Sequence, residues 1–177
     1  GSRLKVSWSK VKGAQGYEIY AGKCGSGMNL VKTVKGSANT SAVVRRIEER
    51  KISQKGSYKV QIRAYRITDG KKEILAKTLT LHAVGNDNKN YTNAKSMKVS
   101  KTNLTIKAGG TKKIKAQIIK QNQKKKLLSR KHAALYRYDS TDKSVASVSK
   151  NGTIKGNRQG SCKVYAVAAN GVKKEIS

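Results

Sequence analysis

Apolar and polar residues alternate over short stretches along the whole chain. The alternation begins at Leu4, recurs over residues 17–20 and 30–34, and continues without a break over residues 58–65. A period of two is typical of β-strands that bury one face. The longest stretch predicts two faces, with Tyr58, Val60, Ile62 and Ala64 turned to a core and Lys59, Gln61, Arg63 and Tyr65 turned away from it.

Turn signals separate these stretches. They are Gly13, Gly16, residues 22–27, Gly36, Gly56 and Asp69-Gly70. Their spacing is typical of a β-sandwich. Only residues 45–51 fit a helical pattern, and the fit is poor.

A polar stretch divides the chain. Residues 85–90 carry no apolar side chain, which is typical of a domain boundary. Beyond it the alternation resumes over residues 97–100, 104–106, 114–118, 145–148 and 162–167. We therefore predict an all-β protein with one domain at residues 3–85, a linker at 86–94 and a second domain at 95–177.

The composition alone leaves folding undecided. Leu, Ile and Val account for 35 of the 177 residues, close to the share below which highly charged chains stay disordered. The net charge is +31, of which residues 1–88 carry +12 and residues 89–177 carry +19. The alternation decides for a folded chain, because it places the scarce apolar residues on the inner faces of strands.

The ends and the cysteines add further expectations. The opening Gly1-Ser2 is typical of a cloning remnant, so we expect a piece of a longer protein. No apolar run approaches the roughly 20 residues of a membrane-spanning helix, and no signal segment is evident. Cys24 and Cys162 fall in different predicted domains, so we expect two unpaired thiols, with an interdomain disulfide as the alternative.

Several motifs of the first half stand in a fixed order. They are Trp8, residues 11–20, and Ile52 six residues before Tyr58 in the stretch 56–65. In these the first half resembles a fibronectin type III domain of bacterial surface proteins. The resemblance implies that Tyr58 forms a tyrosine corner. The family's first strand would precede Leu4, so either that strand lies outside this sequence or another segment covers the sheet edge.

Motifs of the second half also follow one another in order. They lie at residues 104–114, 138–140, 145–148, 151–154 and 160–164. This half resembles a bacterial immunoglobulin-like domain of group 2, in which Tyr138 stands where the family often has Trp. The two resemblances imply two tandem immunoglobulin-like β-sandwich domains. They also imply a secreted or wall-attached bacterial protein, and they name no ligand.

Groups for catalysis or metal binding are few. His82 and His132 fall in different predicted domains, and neither a Cys/His nor a Ser/His/Asp arrangement is evident within one domain. The sequence has no zinc or calcium motif. The glycine-rich stretch 22–27 lacks the order of a phosphate-binding loop and reads as a hairpin loop. We therefore predict neither an enzyme nor a cofactor.

The charge excess predicts a positive surface potential that attracts anionic polymers. The sharpest candidate is the connection at residues 121–134, together with the cations of the strand before it. The predicted cations are Lys112, Lys113, Lys115, Lys124, Lys125, Lys126, Arg130 and Lys131. Nucleic acid is not expected, because no helix for a groove and no aromatic stacking platform is evident. Among the tyrosines, Tyr65, Tyr91 and Tyr136 are the candidates for exposure.

Several functions remain open. We expect a non-catalytic adhesion or binding module, extracellular or at the bacterial cell surface or wall, that contacts an anionic polysaccharide or wall polymer. A first alternative is a passive spacer attached to a catalytic domain elsewhere. A second is a module that binds a host extracellular protein through an exposed sheet edge of the first domain. The excess charge is also explained by solvent-exposed lysines that keep the protein soluble and prevent its sheet edges from pairing with other chains, without any binding partner.

Overall fold

The computed structural model describes residues 2–128 and 132–177. The described residues form strands and turns without a helix. The chain divides into two compact units, Gly1–Lys89 and Asn90–Ser177. The prediction of an all-β chain with immunoglobulin-like β-sandwich architecture is thereby confirmed.

The first unit consists of short antiparallel strands. They are β1 (Leu4–Ser7), β2 (Gly16–Lys23), β3 (Asn29–Lys35), β4 (Ser41–Val44), β5 (Arg46–Ile47), β6 (Arg50–Lys51), β7 (Ser57–Thr68), β8 (Lys71–Lys77) and β9 (Leu81–Val84). A five-stranded sheet has the order β3-β2-β7-β8, with β9 also paired to β7, and β1 pairs with β4 in a second sheet. In the described part of the chain, β1 has no other strand neighbour.

The core of the first unit lies against the inner face of the five-stranded sheet. Tyr17 and Ile19 on β2 are fully buried, and the alternate residues of β7 from Tyr58 to Ala64 are 3–5% exposed. Trp8 follows β1 and packs on Tyr17, with 5.1 Å between ring centres. The alternation of β7 therefore places its apolar half as the pattern predicts.

The poor helical fit at residues 45–51 does not correspond to a helix. The segment is a hairpin of β5 and β6, in which Ile47 pairs with Arg50. Its two loop residues, Glu48 and Glu49, have φ of 50° and 61°, as the mirror-image turns of two-residue hairpins require. Ile47 and Ile52 are both buried, so burial of these two side chains accounts for the pattern without a helix.

The predicted tyrosine corner is visible around Tyr58. The Ser53 N–H donates to the Tyr58 hydroxyl over 2.8 Å. A Cβ at Gly56 would lie 2.5 Å from the same hydroxyl oxygen, so only glycine fits there. The hydroxyl thus fixes the connection that leads into β7.

The second unit is a set of short strands around its own core. They are β10 (Ala94–Val99), β11 (Thr111–Lys113), β12 (Ala116–Lys120), β13 (Tyr136–Ser140), β14 (Ala146–Val148), β15 (Thr153–Gly156), β16 (Val164–Ala168) and β17 (Lys173–Ile176). The sheets are β10-β12, β11-β15-β14 and β13-β16-β17. Ile114, Ala166 and Ile176 are fully buried, and half-buried Tyr138 packs against them. Burial raises the pKa of Tyr138.

The segment predicted as a linker is hydrogen-bonded along its length. Gln54 accepts from the N–H of Asn86 and of Asp87 within the first unit. Within the second unit, the Lys126 N–H donates to the Asn90 carbonyl over 3.0 Å, and the Thr92 N–H donates to the Lys126 carbonyl over 2.9 Å. The two compact units meet in sequence between Lys89 and Asn90.

Candidate functional site

Strand β12 separates the predicted cations into two groups. Lys112 and Lys113 are exposed on β11. Lys115 precedes β12, and its N–H donates to the Ser100 hydroxyl over 3.1 Å. Residues 124–126 follow the other end of β12, which at a strand rise of about 3.3 Å per residue lies about 17 Å away.

The structure therefore does not bring the six described cations to one place. Lys112, Lys113 and Lys115 form one group, and residues 124–126 form the other. Arg130 and Lys131 lie outside the described residues. Each group has to be considered as a separate surface.

Residues 120–126 form an ordered turn, called here the cationic turn. The Lys120 ammonium donates to the carbonyls of Gln123, over 2.5 Å, and Lys125, over 2.7 Å. The Lys124 N–H donates to Asn122 Oδ1 over 2.9 Å. Lys124 and Lys126 are exposed, whereas Lys125 is half-buried. Lys120 thus holds the turn from inside, and Lys124 and Lys126 present charge to solvent.

Residues at the start of the second unit are hydrogen-bonded to the backbone of the cationic turn. The Gln121 N–H donates to the Asn93 carbonyl over 2.9 Å, and the Asn122 N–H donates to the hydroxyl of buried Thr92 over 3.2 Å. With the two bonds of Lys126 already described, the turn is tied to residues 90–93 at both ends. Its backbone is therefore fixed before any ligand arrives.

The acidic residues of the second unit are all engaged with other cations. The three ion pairs are Lys143 with Asp139 at 3.6 Å, Arg158 with Asp142 at 3.6 Å and Lys163 with Glu175 at 2.9 Å. These are the only acidic residues from Asn90 to Ser177. No carboxylate is therefore left for the cationic turn.

Two of these carboxyl groups are stabilised in their charged form. The Lys163 ammonium and then the Tyr165 hydroxyl, at 2.9 Å, donate to Glu175 and lower its pKa. Hydrogen bonds from Ser144 lower the pKa of Asp142. The hydrogen bond between Lys163 and Glu175 also raises the pKa of Lys163. Glu175 and Asp142 therefore have a structural role in the second unit.

A second cluster, which the sequence did not reveal, lies on the five-stranded sheet of the first unit. We call the sheet face opposite the core the outer face. Its residues include Leu30, Glu18, Tyr20, Gln61, Arg63, Tyr65, Ile67, Lys72 and Lys77. Glu18 is only 3% exposed. It accepts hydrogen bonds from the Lys72 ammonium and, over 3.2 Å, from the Tyr20 hydroxyl, and the bond to Glu18 raises the pKa of Lys72.

Arg63 is fixed in the middle of the outer face. Its guanidinium carbon lies 3.9 Å from the centre of the Tyr20 ring, and its Nε donates to Gln61 Oε1 over 3.0 Å. The Gln61 amide in turn donates to Thr78 and Thr80, over 3.4 Å each. Within residues 2–128 and 132–177, the two terminal amino groups of Arg63 have no hydrogen-bond acceptor.

The expected exposure of Tyr65 is wrong. Tyr65 is 6% exposed on the outer face, and a Cβ at Gly16 on the next strand would lie 2.7 Å from its hydroxyl. The Lys72 ammonium lies 5.1 Å from its ring centre. The missing side chain of Gly16 lets the ring lie flat against the sheet. Tyr91 and Tyr136 are half-buried.

The alternation of β2 contained part of the signal for this cluster, since it places Glu18 and Tyr20 on one face. The register of β2 with β7 supplies the rest, because it pairs Glu18 with Arg63 and Tyr20 with Gln61. That register joins residues about 45 positions apart and cannot be read from either strand alone.

The described residues contain no group of His, Cys, Asp and Glu that could hold a metal ion. The stretch 22–27 forms the end of β2 and the hairpin loop to β3. Cys24 and Cys162 are free thiols, and burial raises the pKa of Cys24. Nowhere in the described chain is there a helix long and apolar enough to cross a membrane.

No curated protein and no solved structure matches this chain. No family match extends to the first half, so its resemblance to fibronectin type III domains stays a prediction. Domains of the bacterial Ig-like family are typical of bacterial surface proteins and are generally non-catalytic. Residues 93–177, nearly the whole second unit, match the family model of the bacterial Ig-like domain (group 2) and confirm the resemblance predicted for the second half.

Proposed function

We propose that this chain is a non-catalytic extracellular binding module of a bacterial surface or secreted protein, and that its second unit contacts an anionic polysaccharide or wall polymer through the cationic turn. The observation that carries the proposal is the state of Lys124 and Lys126. Both are exposed on a turn whose backbone is already hydrogen-bonded. Every carboxylate of their unit is paired with another cation.

An ordered turn favours binding because little conformational freedom is lost when the polymer arrives. Exposed lysines act as point charges, and each phosphate or sulfate that they neutralise releases a counterion. The association should therefore weaken as salt rises. A net charge of +19 on residues 89–177 adds attraction at longer range.

The test is retention on immobilised heparin and on immobilised teichoic acid over a salt gradient. The variant Lys124→Ser/Lys126→Ser should elute at clearly lower salt than the parent protein. Lys112→Ser/Lys113→Ser is the matched control. It removes the same charge from β11, away from the cationic turn, and should elute close to the parent. Equal shifts for both variants would show a diffuse charge effect and contradict the role of the turn.

A passive spacer is the second candidate, and Lys112 and Lys113 favour it. They lie on β11, an outer strand of its sheet, and exposed lysines on such a strand discourage pairing with other chains. Absence of retention of the parent protein on both polymers at physiological salt would support this candidate.

We also infer that the first unit is of the fibronectin type III kind. The bond from the Ser53 N–H to the Tyr58 hydroxyl supports this assignment, and so does the contact of Trp8 with Tyr17. An experimental structure of residues 3–85 that lacks the bond to Tyr58 would contradict it.

A further inference from the structure

We propose that the outer face of the first unit binds an acidic polypeptide segment, with Arg63 as the anchor for a carboxylate and Leu30 and Ile67 as apolar contacts on either side. This inference concerns a different unit and a different partner from the proposed function, and it stands independently of it.

Arg63 is held in the way that carboxylate recognition requires. Stacking on Tyr20 and the bond from its Nε to Gln61 fix the plane of the guanidinium. The terminal amino groups, which form the fork that grips a carboxylate in two parallel hydrogen bonds, have no acceptor among the described residues. Binding therefore costs little side-chain entropy.

The nearest carboxylate cannot serve as that partner. Glu18 is paired in register with Arg63, but it is 3% exposed and accepts from Lys72 and Tyr20. Lys77, opposite Arg63 on β8, is exposed and adds a second positive charge. The open part of the outer face around Arg63 is therefore cationic and complementary to an acidic partner.

The apolar side chains decide between a polypeptide and a polysaccharide. Leu30 is 48% exposed and Ile67 46% exposed, and both belong to the outer face. Aromatic rings that could stack on sugars are not available, since the guanidinium of Arg63 covers Tyr20 and Tyr65 is buried. Arginine is enriched among the anchors of protein interfaces, and the two aliphatic side chains add apolar surface that a polypeptide can cover.

The dimensions indicate a modest affinity. Four strands about 4.8 Å apart and seven residues at about 3.3 Å each give a face of roughly 400 Å². A standard interface buries about 800 Å² on each partner. The outer face therefore fits a short segment, such as one extended strand or loop of a partner, and dissociation should be fast.

In the test, the whole chain is titrated with a synthetic nonapeptide that has two central glutamates and a leucine near each end. Binding is followed by NMR chemical shifts. The backbone signals of Leu30, Arg63 and Ile67 should shift on titration. Arg63→Gln should weaken binding about tenfold, as loss of a bidentate charged pair implies. The matched control Lys5→Gln, which removes one exposed charge from β1 in the other sheet of the unit, should change affinity less than twofold.

Further variants separate the components. Leu30→Ser/Ile67→Ser keeps the charge of the outer face and should weaken binding of the peptide. Thermal unfolding of each variant confirms that it is folded, and both mutated side chains are half exposed. Equal losses for Arg63→Gln and Lys5→Gln would overturn the proposal. Shifts at Arg63 with a heparin fragment but none with the peptide would also overturn it and would assign the outer face to a polysaccharide. An absence of shifts with both ligands would overturn it as well.

Discussion

The guanidinium of Arg63 lies 3.9 Å from the ring centre of Tyr20, although the strand register pairs Arg63 with Glu18. Glu18 is instead satisfied by the ammonium of Lys72 and the hydroxyl of Tyr20. One buried carboxylate thus uses one cation of the outer face and leaves the next one unpaired. The charge of this face is divided between a structural lysine and a half-buried arginine whose terminal amino groups have no acceptor among the described residues.

The hydroxyl of Tyr58 should contribute measurably to the first unit. Tyr58→Phe leaves the Ser53 N–H without its acceptor, which should lower the free energy of unfolding by about 1–2 kcal/mol. Urea unfolding followed by tryptophan fluorescence reports on this unit, because Trp8 is the only tryptophan. Ser53→Ala keeps the N–H donor and should cost clearly less. If Tyr58→Phe were no more costly than this control, the hydroxyl would not fix the connection.

A methyl group at Gly152 should destabilise the second unit. Gly152 has φ of 83°, and a Cβ would lie 2.9 Å from the Ile114 carbonyl oxygen and 3.0 Å from the Tyr138 ring. Strain and crowding together should cost about 2–4 kcal/mol for Gly152→Ala. Gly109→Ala is the matched control, since Gly109 has φ of 79° with nothing within 4 Å of a Cβ, and it should cost about 1–2 kcal/mol.

Hydrogen exchange at the core amides of β16 measures both glycine variants within the second unit. The difference between the two alanine variants isolates the crowding from the backbone strain. Equal effects would show that Tyr138 and the Ile114 carbonyl move aside without cost.

The second unit should lose stability in acid through Glu175. Its pKa is lowered in the folded state by Lys163 and Tyr165, so its contribution is present above the ordinary carboxyl pKa of about 4.3. That contribution is lost as pH falls through the lowered pKa. Glu175→Gln should therefore be less stable than the parent near pH 6, and the difference should shrink as the pH falls below the ordinary carboxyl pKa.

Hydrogen exchange in β16 between pH 6 and 2 provides the measurement. Asp142, whose pKa is also lowered, keeps some acid sensitivity in the variant. Glu49→Gln in the first unit, which removes an exposed carboxylate, should leave the second unit unchanged. A constant difference between Glu175→Gln and the parent over the whole range would contradict the role of Glu175.

The ammonium of Lys120 should be needed to keep the cationic turn closed. Lys120→Met keeps most of the aliphatic stem but removes both bonds to the carbonyls of Gln123 and Lys125. Trypsin should then cleave faster after residues 124–126, because local opening exposes the backbone. Lys98→Met, in the same unit and on β10, is the control and should leave cleavage there unchanged. Unaltered cleavage in Lys120→Met would show that the turn holds without this side chain.

The alternation of apolar residues predicted β7, since side-chain burial there follows a period of two. It gave no sign of β8 or β17, and the predicted strand at residues 104–106 is wrong, because these residues lie between β10 and β11 outside any strand. At residues 45–51, where the pattern fitted a helix poorly, the chain forms the hairpin of β5 and β6. There the left-handed backbone of Glu48 and Glu49, which are not glycines, gave no signal in the sequence.

The predicted cations illustrate a different limit. Lys115 and Lys124 look close in sequence, but β12 lies between them and carries them to opposite ends of one strand. The structural use of Lys120 and the burial of Tyr65 were equally hidden. Both depend on atoms contributed by other parts of the chain, namely the carbonyls of a folded turn and the bare backbone of Gly16.

The first backbone bonds that the chain makes on entering the second unit are those between Lys126 and residues 90–92. A mechanical force applied along the chain at Asn90 would strain these bonds before it reached β10. A polymer held by Lys124 and Lys126 would pull on the same few bonds from the other side. The second unit would then open and release the polymer at the same force. That force is set by the hydrogen bonds between the cationic turn and residues 90–92.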